Sequence, residues 1–262
     1  YPKARLVVTC RTRGFSAEVR DCLDWPVEEL ALFTPGQMRH FVAAWYHELA
    51  AKTDLTAEQA DSLSNELVAT LVTSDLRSQK LRAMAGTPLL LTMMALVLYN
   101  KGELPRDRPW LYEAIMGLLL GQWDKVKYEQ HKLTSLGEAI GRPAWTSDYI
   151  RPLLDRLSYE AHGAATSQDG RGQLERGVLF TQLYDFFIGA GLSPAEAGSA
   201  TPCLLDYIDQ RSGLLLPDGT HSYVFAHLTL QEHCAGRYIA LQSENPIELV
   251  MQHRADDRWR EP

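Results

Sequence analysis

The sequence predicts a mainly α-helical protein with a few short strands, and three observations carry that prediction. Apolar residues recur at helical spacing in one segment after another, as in Met38, Phe41, Val42, Trp45 and Leu49. Helix start signals precede several of these segments: Thr34 with Pro35, Thr56 with Gln59, and Pro88. Strand signals are confined to the first 33 residues and to one hairpin pattern near residue 217.

Arg5 to Cys10 is a short, continuously apolar, β-branched run of the kind that sits in the middle of a parallel sheet. After a connecting segment, Gly14 to Trp25, the stretch Val27 to Phe33 reads as a second strand. Two strands do not make a stable α/β layer, so their sheet is expected upstream, and the chain reads as cut from a larger protein.

From Thr34 the pattern turns helical. The Thr34 helix is followed by one capped by Thr56 and Gln59, carrying Leu63, Leu67, Leu71 and Val72. Leu76 to Met84 is a short amphipathic segment that Gly86 ends. Pro88 starts the next helix at no cost in hydrogen bonding. Its run through Leu96 and Val97 is apolar enough to be largely buried. A long helix is expected over Trp110 to Tyr128, then a looser connection over His131 to Ser147. Helices follow over Asp148 to His162, Leu174 to Ile188 and Pro194 to Gln210, with a polar loop at Gln168 to Gly172.

Leu214 to Leu216 and Ser222 to Phe225 are β-prone runs separated by Pro217-Asp218-Gly219 turn chemistry. The helix that follows carries Leu228, Leu230, Cys234, Ala235, Tyr238, Ile239 and Leu241 on one face, with His227 expected in its first turn. Three helices, a two-stranded wing and a closing helix are the parts of a winged-helix domain. A last helix is expected after Asn245-Pro246, with Trp259 left without packing partners.

The totals exclude several classes. An apolar fraction of 45% and a charged fraction of 23% are those of a soluble globular chain. A net charge of −7 with no basic stripe argues against a dedicated nucleic-acid binder. The longest apolar run, Pro88 to Tyr99, is shorter than the roughly 20 residues of a membrane span. Cysteines 10, 22, 203 and 234 show no CxxC spacing and read as buried thiols of a reducing, cytoplasmic setting. His221, His227, His233 and Cys234 match no common metal-ligand spacing. No GxxxxGK[ST] occurs, and no strand ends in an acidic metal-binding cluster.

Phe225-Ala226-His227-Leu228-Thr229-Leu230-Gln231-Glu232 closely resembles the winged-helix signature of NACHT-type NTPases, the signal-transducing (STAND) branch of the P-loop ATPases that includes NLR-like proteins. Gly86-Thr87-Pro88 resembles the GxP motif of that family's helical domain, and Val8-Thr9-Cys10-Arg11 resembles its sensor-1 strand end, with Arg13 a near neighbour. The resemblance implies that His227 reaches the β-phosphate of ADP, Pro88 packs on the nucleotide, and Arg11 points toward the γ-phosphate. Phe225, Gln231 and Glu232 would support the winged-helix core, and Gly86 and Thr87 are the supporting residues beside Pro88. Taken singly, the same residues read as an interior histidine, helix punctuation and a solvated loop charge; their order along the chain favours the family.

The implied architecture is residual α/β strands of a P-loop core (residues 1–33), a helical domain (34–132), a winged-helix domain with a β-hairpin (133–242) and the start of a following helical segment (243–262). The implied function is a nucleotide-dependent switch, held by ADP at rest and driven by ATP to homo-oligomerise in immune or antiviral signalling. An effector domain upstream and a sensor domain downstream complete it. Without a P-loop, ATP/ADP with Mg belongs to the complete module, and these residues are not catalytic alone. The alternative is a winged-helix DNA-binding regulator, which requires a basic recognition helix and wing; a nucleotide-free helical scaffold is the third reading.

Overall fold

The computed structural model describes residues 7–8, 21–22, 25–73, 76–105, 107–122, 136–165 and 172–259. Arg11, Arg13 and Cys10 lie outside the described residues, as does most of the strand expected over Arg5 to Cys10. The fold is mainly α, with a three-stranded antiparallel sheet.

Four helices form the first layer: α1 (Pro35–Ala50), α2 (Ala57–Val72), α3 (Leu76–Ala85) and α4 (Pro88–Lys101). Both expected Thr starts are complete capping boxes. Thr34 accepts from Gln37 N and Thr56 from Gln59 N, while each glutamine side chain reaches back to its threonine N–H. Helix α4 is apolar nearly all round because it is the centre of this layer, with Leu91, Met94, Ala95, Val97 and Leu98 fully buried. Tyr46 of α1 donates its hydroxyl to Ala95 O at 2.9 Å, tying α1 to that centre. Gly102 ends α4 at φ 74°, a left-handed cap that favours glycine.

The long helix expected over Trp110 to Tyr128 is present as far as the described residues reach, up to Gln122. Helix α5 (Arg108–Gly117) passes into a π-helical turn, Leu118–Gln122. Trp123 and Val126 lie outside the described residues. A second π turn, Tyr207–Ser212, follows a later helix, and Tyr207 donates its buried hydroxyl to Leu120 O at 2.6 Å, joining the two turns.

The second unit runs α6 (Leu136–Ala139), α7 (Ser147–Ala164), β1 (Gln173–Glu175), α8 (Arg176–Gly189), α9 (Pro194–Asp206), β2 (Leu215–Asp218), β3 (Ser222–Phe225), α10 (Leu228–Leu241) and α11 (Pro246–His253). Strand β3 lies between β1 and β2, antiparallel to both; Leu174 faces Tyr223 and Leu215 faces Phe225. The hairpin forms where expected, but Pro217 and Asp218 lie within β2 and the turn follows them, with Gly219 at φ 72°. No helix among the described residues is long and apolar enough to cross a membrane.

The structure corrects four further expectations. Val27 to Phe33 is not a strand: no described strand lies beside it, and Val27, Leu30 and Leu32 are exposed. Leu174 and Glu175, expected to begin a helix, instead lie in β1, because β3 offers its free edge to them. Cys22 is exposed rather than buried. Trp259 does have partners, since a turn of 3-10 helix (Asp257–Trp259) folds back so that its ring stacks on His253 at 3.9 Å and meets His162 edge-on at 4.5 Å.

Candidate functional site

His227 occupies the joint between β3 and α10. The sequence places it in the first helical turn; the structure places it one step earlier, as the extended residue before Leu228, with φ −136° and ψ 127°. Its carbonyl accepts from Leu230 N at 3.1 Å and Gln231 N at 3.3 Å, so it opens the helical ladder without being helical itself. Its half-buried ring is held at Nδ1 by the Thr229 hydroxyl, 2.7 Å away. The N-terminal end of α10 beside it carries the positive end of the helix dipole. Two residues earlier, Phe225 is completely buried against the core and anchors the joint. Glu232, one turn into α10, is half-buried.

Gly86, Thr87 and Pro88 form the tight link between α3 and α4. Thr87 is extended, its hydroxyl donates to Met84 O at 3.1 Å, and Pro88 takes the first helical position. Gly86 is buried and its carbonyl accepts from Phe33 N at 2.8 Å. A Cβ there would lie 3.2 Å from the Leu32 Cβ, so the glycine admits the segment running past it. Pro88 and Leu89 face outward, exposed. Pro88 and His227 thus begin two different helices, and α5 packs on both of those helices.

The motifs do not foreshadow a buried polar stripe along α7. Arg151, Asp155, Ser158 and His162 recur on one helical face, and all four are buried against α10, which runs antiparallel to α7. Arg151 reaches Asp155 at 3.3 Å and Glu113 of α5 at 2.8 Å. Arg237 of α10 reaches the same two carboxylates at 3.2 and 3.1 Å, and His233 donates to Glu113 at 3.2 Å. Gln242 adds a third donor to Asp155 at 3.1 Å. Two guanidiniums and two carboxylates therefore balance in a cluster whose Arg151 and Asp155 are buried and whose Arg237 and Glu113 are partly exposed, and it ties α5, α7 and α10 together. The His233 hydrogen bond, with Arg151 and Arg237, holds the Glu113 carboxyl down at about 2. Burial pushes Asp155 above its ordinary value, against the pull of the two arginines.

At the other end of the stripe, Gln231 Nε2 donates to His162 Nδ1 at 3.0 Å. The ring proton is therefore on Nε2, which donates to Arg258 O at 2.9 Å. Burial depresses the His162 pKa, in keeping with this neutral ring. Between the two ends, burial pushes the Cys234 thiol up to about 12, leaving it a packing group. The signal that finds this stripe is its phase: positions 151, 155, 158 and 162 share one side of the helix, a pattern that fits a polar inner face.

A helix pair followed by a two-stranded wing and a closing helix defines a winged-helix domain. Residues 108–239, half of the chain, match the family described as the winged helix-turn-helix domain C-terminal to NACHT, and the chain belongs to that family. The match begins at α5, upstream of residue 133, and α5 shares the buried charge cluster with α7 and α10. Comparison with curated proteins and with solved structures gives no match.

Proposed function

We propose that this chain is the moving arm of a NACHT-type nucleotide switch. At rest, ADP bridges the phosphate loop of the NACHT core and the winged helix, and His227 is the winged helix's contact to the β-phosphate. Exchange for ATP, with Mg supplied in the core, releases the arm, and the opened protein forms homo-oligomers that engage an upstream effector in response to a downstream sensor. The setting is a reducing cytoplasm and the output is immune or antiviral-type signalling.

One observation carries the reading: His227 sits at a helix N-terminus, its ring held in place by Thr229, in a chain that belongs to a family found C-terminal to NACHT. An imidazole N–H and a helix N-terminus both favour a phosphate. The outward-facing Pro88 suits a contact with the nucleotide's base or ribose. Arg11 is proposed as the γ-phosphate contact on the motif Val8 to Arg11 alone. Duplex DNA is a poor partner, since α9, the second helix of the helix pair, has no Lys or Arg among its residues.

The test uses the complete protein, with its NACHT core, loaded with ADP. Replacing His227 by alanine is expected to speed ADP release and raise oligomerisation without nucleotide exchange. The 262-residue chain alone should neither hydrolyse nor tightly hold nucleotide, because the backbone cradle for the phosphates is not in it. Calorimetry showing tight ADP binding to the chain alone would point to a different site.

A further inference from the structure

After α11 the chain turns back. Asp256 N donates to His253 O at 2.9 Å and Trp259 N to Asp256 O at 2.9 Å, so residues 254–259 form a compact hook. The hook is braced internally by Asp256, whose carboxylate takes Arg258 Nε at 3.0 Å and Nη2 at 2.6 Å. It docks on the C-terminal end of α7: Arg258 Nη1 donates to Ala165 O, the Trp259 ring lies 5.3 Å from the Tyr159 ring, and His253 Nε2 meets the Tyr159 hydroxyl at 3.2 Å.

The hook is half-exposed, yet its inner surface touches a series of hydrogen bonds whose two middle side chains are buried. Arg258 O accepts from His162 Nε2, His162 Nδ1 accepts from Gln231 Nε2, and Gln231 N donates to His227 O. His162 is 1% exposed and Gln231 0%. Four residues on three elements are therefore linked in series, from the hook to the joint that carries His227.

We propose that residues 254–259 are a regulatory latch: docked on α7, they fix, through His162 and Gln231, the position of the turn that presents His227. Lifting the hook removes the acceptor of His162 Nε2, and the buried ring must then shift to regain a hydrogen-bond partner. The hydrogen bond from Gln231 Nε2 to His162 shifts with the ring, and the first turn of α10 loosens around His227. A segment this short, with half-exposed side chains, opens at a small fraction of the global unfolding free energy, as a latch requires. Asp256 is held down at about 2, chiefly by its hydrogen bonds from Arg258, so the brace stays charged across the physiological range. The regulatory meaning rests on the reading of His227 as the phosphate contact; the mechanical link does not.

The test uses the 262-residue chain without nucleotide and follows amide hydrogen exchange by NMR. Leu230 and Gln231 amides report on the joint, since both donate to His227 O. Trp259→Ala, which unseats the hook, is expected to speed exchange at both by about tenfold while the amides of Val42 and Tyr46 in α1 keep wild-type rates. His162→Phe, which keeps a ring beside Trp259 but removes both hydrogen bonds, should give the same local rise with the hook still docked. Unchanged Leu230 and Gln231 exchange in either variant would overturn the latch. So would a rise shared equally with α1, which would make the hook a general brace of the fold. Neither readout involves ADP, so a failed latch leaves the switch reading intact, and a normal ADP off-rate in His227→Ala leaves the mechanical link intact.

Discussion

Arg237 of α10 and Asp155 of α7 meet at 3.2 Å inside the protein, and the Asp155 side chain is wholly shielded from solvent. An isolated carboxylate there would be expensive, and two guanidiniums and an amide compensate it. The expected outcome for Asp155→Ala is a loss of about 3–5 kcal/mol, because both arginines remain with one carboxylate fewer. Urea denaturation of the purified chain measures this. A cost below ~1 kcal/mol would mean that solvent reaches the cluster and the pairs act as surface ion pairs.

Phe225→Ala tests the other anchor of the joint. The ring is fully buried, so its removal should cost about 3–5 kcal/mol and lower the melting temperature. A wild-type melt would show that the joint is held by the hairpin hydrogen bonds instead.

Stability should fall in two stages on acidification. His162 is depressed below its ordinary 6.5, so below that pH the unfolded chain takes a proton that the folded one refuses, and stability declines as pH falls further. Glu113 is depressed from 4.5 to about 2, so its contribution is full above 4.5 and is lost toward pH 2. Asp155, raised by burial, takes up its proton earlier when folded and offsets part of the second stage. Thermal melts across this range should lose the first stage in His162→Phe and flatten the second in Glu113→Gln. Identical profiles in all three proteins would contradict the assignment.

Pro88→Ala should behave differently in two settings. In the 262-residue chain a first-turn proline tolerates replacement, and the expected cost is below ~1 kcal/mol. In the complete protein the same change should shorten ADP retention. Equal retention in both proteins would remove Pro88 from the nucleotide contacts.

The helices and the hairpin are legible in the sequence because local chemistry specifies them. Thr34 with Gln37 and Thr56 with Gln59 cap from their own side chains, and Gly219 takes the positive φ its turn needs. What escapes is decided by partners distant in sequence. Strand β1 is three residues long with only Leu174 buried, too short to alternate visibly, and it exists because β3 pairs with it. Val27 to Phe33 has the composition of a strand, and among the described residues no strand pairs with it. His227 is found by its motif, but its role as the residue before the helix depends on where β3 ends. Arg151 with Asp155, and His233 with Arg237, are spaced like surface i,i+4 pairs. Only the packing of α7 on α10 turns them into one buried cluster. The hook is invisible for the same reason, since Trp259 and His162 stand far apart in the chain.

The most direct test of the switch is the ADP off-rate of His227→Ala in the complete protein, measured beside its melting temperature. A charge-assisted hydrogen bond to phosphate is typically worth ~1.5–3 kcal/mol, so release should speed up roughly ten- to hundredfold while the melt of the nucleotide-free protein stays at the wild-type value. A variant that melts early yet releases ADP at the wild-type rate would contradict the account, and His227 would then be a packing residue of the joint.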